Sequence, residues 1–430
     1  MSFIPVYLFI LGGSIVVDYI AGIAIEKSSG AKRKSFLILS LAANIGVLTV
    51  FKYYNFIAEN INLISIAAFN SRALETLKIL LPIGLSFHTF QAMSYTIEVY
   101  RSNQKAEKNF GVYALYVLFY PQLVAGPIER PQNLIHQFYD EHTFNIERFK
   151  SGLTLMLIGL FKKVVIADRL SIAVDYSYSN LNQQSGLSLA VATFFYCFQI
   201  YCDFSGYSDM AIGAARIMGF DLMKNFNAPY FSKNLSEFWK RWHISLSTWF
   251  KDYLYIPLGG NRVSSFRKFF NLFIVFALSG LWHGANYTFI VWGVMHALLL
   301  GYSQLKSYAM KKSGILFPVN KFTRLASTTT TFIAVWLTWI LFRSPSITEA
   351  RIIFSTLFRL ELSDTIDLML NKTELIFCFL LIAMLVAYDH YIKELKTTNT
   401  KLFIASTILL IAFCYFLGVF NHKQFIYFQF

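Results

Sequence analysis

The sequence predicts an all-α polytopic membrane fold of roughly ten membrane segments, and three observations carry that prediction. Of 430 residues, 56% are hydrophobic and only 14% are charged, against about 25% charged in a soluble domain; mean hydropathy is +0.48. Apolar runs long enough to enter a bilayer recur along the whole chain. The positive residues gather in short loops between those runs. The net charge of +14 therefore reads as orientation in a membrane rather than affinity for nucleic acid, for which no basic domain exists outside the spans. The 44 Phe and 25 Tyr suit lipid-facing surfaces and interfacial belts.

Taken in order, residues 4–25 are long enough to span and are followed by Lys27, Lys32, Arg33 and Lys34, which marks a span rather than a cleavable signal and puts the basic loop inside. Residues 35–57 return outward, with 59–75 as an outer loop, and 77–99 come back to Arg101, Lys105 and Lys108. Residues 110–128 are apolar but interrupted by Pro121, Gly126 and Pro127, which predicts a broken or re-entrant helix. Residues 149–170 carry Lys162 and Lys163 in mid-run, so those side chains snorkel or face a polar interior. Residues 177–186 lack a basic residue and read as external, and 187–204 lead inward.

Residues 221–268 form the longest polar-aromatic insert, rich in Lys and Arg and so cytoplasmic. Within it Asn234 and Glu237 have N-cap and N3 spacing, and Glu237 and Arg241 form an i,i+4 pair. A helix over 238–250 would place Phe238, Trp242, Ser245 and Trp249 on one face, an amphipathic helix at the membrane interface. Two apolar runs flank Leu281-Trp-His-Gly284. Beyond them Lys306, Lys311, Lys312, Lys321 and Arg324 are inside, 325–342 go out, 375–390 return to Lys393, Lys396 and Lys401, and 402–420 go out. No soluble domain boundary interrupts 1–430.

His283 is the first candidate site residue. From Arg267-Lys268, a helix rising about 1.5 Å per residue reaches it after roughly 22 Å, short of a hydrocarbon core of about 30 Å. An ionisable group at that depth is costly and usually functional, and Gly280 and Gly284 allow close approach. A neutral imidazole there can take a proton from an attacking hydroxyl. Asp203 and Asp209 read either as a helix stop or as carboxylates of an ion path shared with His283; six positions apart, they do not share a helical face. His243 sits beside Lys240 and Arg241, cations suited either to phosphates of a soluble donor or to lipid headgroups. Cys197, Cys202, Cys378 and Cys414 show no ligand spacing and read as small buried hydrophobes, so no metal is expected. His88, His136, His142, His296, His390 and His422 likewise show no ligand spacing. Gly259-Gly260 is a turn without nucleotide-loop spacing.

Several longer motifs then resemble the membrane-bound O-acyltransferase family, most closely its bacterial alginate O-acetyltransferase branch. They are Phe119-Tyr-Pro-Gln-Leu-Val-Ala-Gly-Pro-Ile-Glu-Arg130, Tyr201-Cys-Asp-Phe-Ser-Gly-Tyr-Ser-Asp-Met-Ala-Ile-Gly213 and Asn225-Phe-Asn-Ala-Pro-Tyr230. Glu237-Phe-Trp-Lys-Arg-Trp-His-Ile-Ser-Leu-Ser247, Asp252-Tyr-Leu-Tyr-Ile-Pro-Leu-Gly-Gly-Asn-Arg262, Leu281-Trp-His-Gly284 and Phe425-Ile-Tyr-Phe-Gln-Phe430 continue the series. The 256–262 segment favours this branch over the teichoic-acid D-alanyl transferases.

The resemblance implies that His283 matches the family's catalytic histidine and His243 a second one. It also implies a ring of tilted helices around a thinned central funnel, and acyl-CoA entering from the cytosol. Family members of this branch carry further apolar sequence ahead of the position of Ile4. The expected activity is transfer of acetyl from acetyl-CoA, held by Trp239, Lys240, Arg241 and Lys251, to a hydroxyl on the outer side. His283 is the base, and an extracytoplasmic acceptor protein and a polysaccharide follow it. An ion-coupled transporter using Asp203, Asp209 and His283, and a lipid or protein acyltransferase using a longer acyl-CoA, are the alternatives.

Overall fold

The computed structural model describes residues 6–78, 82, 84–123, 126–313, 320–359, 365–392, 399–420 and 425. Among them every regular element is helical. The expectations for Lys393, Lys396 and His422, for Val124-Ala125, and for the last motif beyond Phe425 lie outside the described residues. The chain packs as two compact units, Met1–Arg148 with Ala214–Met223, and Phe149–Gly213 with Lys224–Phe430.

The first unit holds α1 (Val6–Lys27), α2 (Gly30–Leu48), α3 (Tyr54–Phe69), α4 (Leu85–Tyr100), α5 (Phe110–Val117) and the short α6 (Pro131–Leu134). A single π turn over Thr49–Tyr53 joins α2 to α3, so the helical run Gly30–Phe69 is 40 residues long. This corrects the expected span 35–57 and outer loop 59–75: nothing between breaks a helix, and the run stops only at Asn70, whose φ is 51°. The span expected at 77–99 begins instead at Leu85, after Gly84 at φ 78°. Buried Asp18 of α1 is satisfied by Asn44 and Ser40 of α2, at 2.8 and 2.6 Å, so α1 and α2 are joined by a paired polar group, as burial demands. The broken segment after 110 is seen as the eight-residue α5, which ends at Val117 with Leu118 as its C-cap.

The second unit begins within α7 (Ile146–Phe161) and continues through a π turn, Lys162–Ala167, into α8 (Asp168–Ser179). Then come α9 (Gly186–Ile217), α10 (Leu235–Arg241), α11 (Ile244–Phe250), α12 (Ser265–His283) and α13 (Tyr287–Ser313), followed by α14 (Lys321–Arg343), α15 (Ile347–Leu357), α16 (Lys372–Tyr391) and α17 (Thr400–Leu417). Asparagine caps start several of these: Asn320 and Asn371 form reciprocal capping boxes with Thr323 and Glu374, each satisfying orphan backbone donors of the first turn.

Two expectations change in this unit. The run 187–204 does not end at Asp203; α9 continues to Ile217, so both carboxylates lie inside a helix and the helix-stop reading falls. They persist there because cations meet them: Lys162 reaches Asp209 at 2.8 Å, and Lys163 joins Asp203 and Asp168. These are the polar surroundings expected for the two lysines. Gly159 and Gly206 let α7 and α9 approach so closely that a Cβ at 159 would lie 2.4 Å from the Gly206 oxygen. The helix expected over 238–250 is also two helices, broken at His243.

Seven helices among the described residues are long and apolar enough to cross a membrane: Tyr7–Lys27, Gly30–Phe69, Gly186–Ile217, Tyr287–Met310, Lys321–Arg343, Lys372–Tyr391 and Thr400–Leu417.

Candidate active site

The hairpin of α12 and α13 carries His283 as the last residue of α12. Gly280 and Gly293 fix how near the two helices lie: a Cβ at 280 would sit 2.1 Å from the Phe289 oxygen, and one at 293 would sit 2.1 Å from the Phe276 oxygen. Gly284 is pressed against the Phe289 ring. The glycines flanking His283 thus admit the protein's own α13, as small residues do at helix interfaces in membranes. Asn286 closes the turn. Its side chain accepts from the Thr288 backbone at 3.0 Å and donates to the Pro345 carbonyl at 2.7 Å, fastening the hairpin to the segment before α15.

His283 is buried, at 4% exposure, and its ring packs against Trp282, Trp292 and Phe342 with centroids 5.1, 5.2 and 5.2 Å away. His243, fully buried, lies edge-on to Phe204 at 4.5 Å and 6.3 Å from Trp282. Trp282 is therefore a common neighbour of the two histidines. Burial pushes the His243 pKa down to about 3, so its ring is neutral at ordinary pH. Trp239, half-buried on α10, meets Trp292 at 5.8 Å and His296 at 5.1 Å. An aromatic path from Trp239 through Trp292 to His283 thus links α10 to the end of α12.

Asn234 caps α10 by accepting from Glu237 N at 2.9 Å. Glu237 returns to the Lys233 backbone rather than to the cap itself, and pairs with Arg241 at 2.7 Å; these bonds hold its carboxyl pKa below the usual range against the effect of burial. Arg241 also donates to the Asn227 carbonyl at 3.4 Å. Lys240 and Lys251 are exposed. The geometry gathers Trp239, His243 and His283 into one aromatic assembly, with Lys240 and Arg241 on the helix that brings Trp239. Lys251 opens the π turn Lys251–Tyr255 after α11.

The four residues expected on one amphipathic face, Phe238, Trp242, Ser245 and Trp249, are all buried rather than spread along an interface. The reason is the break: Trp242 is extended, and His243 adopts φ 43°, ψ 57°, a left-handed conformation that a non-glycine residue holds only under constraint.

Sequence reasoning passed over Trp292 and set His296 aside for want of ligand spacing. They stand one turn apart on α13 and share a face; His296 is fully buried with Nε2 3.0 Å from Thr338 Oγ1. Its other ring nitrogen, Nδ1, is buried without a hydrogen-bond partner, and the ring packs against Trp292, which touches His283. The i,i+4 pairing was the available signal. The four cysteines are buried and unpaired. Among the described residues no group of three or more His, Cys, Asp or Glu gathers as a metal site.

The sequence matches the model of MBOAT, the membrane-bound O-acyltransferase family, over residues 47–321. It is 38% identical over 406 residues to a probable alginate O-acetylase AlgI of Pseudomonas aeruginosa, covering 92% of this chain and 75% of that protein. It is equally 38% identical over 371 residues to a peptidoglycan O-acetyltransferase of Helicobacter pylori, with 80% and 68% covered. A teichoic acid D-alanyltransferase of Bacillus subtilis is more distant, at 26% identity over 264 residues, 58% of this chain and 65% of that one. With these matches and its apolar helices, this multi-pass membrane protein is an acyltransferase rather than an ion-coupled transporter, and belongs to the membrane-bound O-acyltransferase family.

Proposed function

We propose that the chain, acting over 1–430 as one integral domain of the bacterial inner membrane, moves an acetyl group from cytosolic acetyl-CoA to a hydroxyl on the outer side. The observation that carries this reading is the aromatic path joining Trp239 on α10 to His283, with exposed Lys240 the next residue after Trp239. In this reading the membrane segments form a ring around a thinned funnel. Lys240, Arg241 and Lys251 receive the donor's phosphates as charge-assisted contacts, and Trp239 guides the donor arm inward.

His283 is the general base. The acceptor oxygen attacks the thioester carbonyl as its proton passes to His283; the C–S bond breaks, and the thiolate leaves with that proton. His243, neutral and packed near Trp282, is the second histidine of the site. Acetyl thus crosses without its carrier. An extracytoplasmic partner protein takes it and passes it to an exported polysaccharide. The P. aeruginosa relative supports an alginate-type acceptor; the equal identity to the H. pylori protein favours peptidoglycan as the second reading.

The test follows thiol release from acetyl-CoA in membranes that retain the acceptor. His283→Ala should lower the rate about 10²–10⁴-fold, the usual worth of a positioned base. Full turnover by that variant would sink the mechanism.

A further inference from the structure

The Asn225-Phe-Asn-Ala-Pro-Tyr230 motif stands apart from the proposed chemistry, yet its first residue holds the histidine turn. Asn225 is 1% exposed. Its backbone carbonyl accepts from Ile244 N at 2.9 Å. Its side-chain Oδ1 accepts from Ser245 N at 3.2 Å and Ser245 Oγ at 2.9 Å, while its Nδ2 donates to Ser208 Oγ at 3.3 Å. Three bonds therefore converge on the two residues that follow His243. On the other side of the break, Asn227 N donates to the Arg241 carbonyl at 2.9 Å. The 225–227 segment spans the break from both sides.

His243 itself occupies left-handed space at φ 43°. A glycine would sit there without strain, and such strain persists only where surroundings over-determine it. Phe226, the neighbour of Asn225, also lies 6.3 Å from the imidazole and 5.0 Å from Phe204, so the motif both sets the backbone and walls the ring.

We infer that Asn225 is the positioning residue of His243: its side chain and carbonyl hold residues 243–245 in the one turn that directs the imidazole toward Trp282. The inference rests on the reading that His243 belongs to the acyl-transfer site. Asn225 touches neither donor nor acceptor, so its effect belongs in kcat rather than in KM for the donor.

The experiment is a double-mutant cycle on thiol release from acetyl-CoA, in membranes of cells carrying the full chain and its acceptor, with wild type, Asn225→Ala, His243→Ala and the double variant. Each single variant should lose tenfold or more in kcat with KM for acetyl-CoA within twofold of wild type. The double should be no slower than His243→Ala alone, because a positioning residue has nothing left to position. Further loss in the His243→Ala background would make Asn225 a general packing residue and overturn the inference. Full activity of Asn225→Ala beside an impaired His243→Ala would also overturn it, while leaving the proposed function intact. Full activity of His243→Ala would instead remove His243 from the site and the inference with it. Should Asn225→Ala not accumulate folded, Ser245→Ala deletes only the hydroxyl bond and carries the same cycle. It should lose at least threefold in kcat, again cancelled without His243, and an unchanged rate would overturn the inference.

Discussion

Trp292 is where the residue scale is most informative. Its ring lies 5.2 Å from His283, 4.9 Å from His296, 5.0 Å from Phe342 and 5.9 Å from Trp339, to which it is stacked. It is 1% exposed, so truncation leaves a void that its neighbours, locked by one another, cannot refill. Trp292→Ala should cost about 3–5 kcal/mol, in the range for buried Trp and Phe. That is to be read as an earlier melting transition of the detergent-solubilised protein. Trp292→Phe keeps most of the contact and should lose less than half of that. On the proposed mechanism, acetyl transfer should fall more than stability alone explains in the alanine variant, because the proposed base His283 loses one wall of its packing. The hairpin position of His283 was legible in the sequence because a histidine between glycines and two apolar runs is conspicuous. Trp292 was not: one tryptophan in an apolar run looks like any other until a folded neighbour shows which face it occupies.

At the scale of elements, the sequence was readable where signals are local. The Asn234 cap and the Glu237–Arg241 pair are contained within one helical turn or two, and both form. The break at His243 was unreadable for the opposite reason: Trp242 and His243 carry no helix-breaking chemistry, and the bonds that stabilise the turn come from Asn225, distant in sequence. Helix lengths failed similarly. A charged residue in an apolar run looks like an end, yet Asp203 and Asp209 stay helical because Lys163 and Lys162 answer them from the neighbouring π turn.

That pairing has a measurable consequence. The Lys162 side chain is 7% exposed, with Tyr201 and Tyr388 rings 5.8 and 5.6 Å from its ammonium. Removing its bonded carboxylate in Asp209→Leu leaves the buried cation with only the unbonded charge of Asp389 nearby and should destabilise by up to about 3 kcal/mol. Lys162→Met combined with Asp209→Leu removes both charges and should recover most of that loss. Transfer activity measured beside the melting curves distinguishes a structural ion pair from an ion path. For the latter, the double variant would recover stability but remain without activity; for the former, transfer should return with the fold.

For the whole molecule, the strongest sequence-level statement concerns sidedness, because it is summed over many residues and survives errors at helix ends. Helix α9 runs on past its expected end and α3 replaces an expected loop, yet neither shift changes which loops are basic. The reading places Arg262, in the basic insert ahead of α12, on the cytoplasmic side, and Ser355, beyond the outward run of α14, on the opposite side. Both are exposed. The native thiols offer a quiet background for testing this, since Cys197, Cys202 and Cys378 are fully buried and Cys414 is 4% exposed. In intact spheroplasts, a membrane-impermeant maleimide should label Ser355→Cys and leave Arg262→Cys untouched, while in inside-out vesicles the pattern should reverse. Labelling of both from one side would refute the charge-derived orientation. It would also refute the two-sided site, because a donor entering at Lys240 and an acceptor arriving beyond α14 would then share one compartment, and no acetyl group would need to cross.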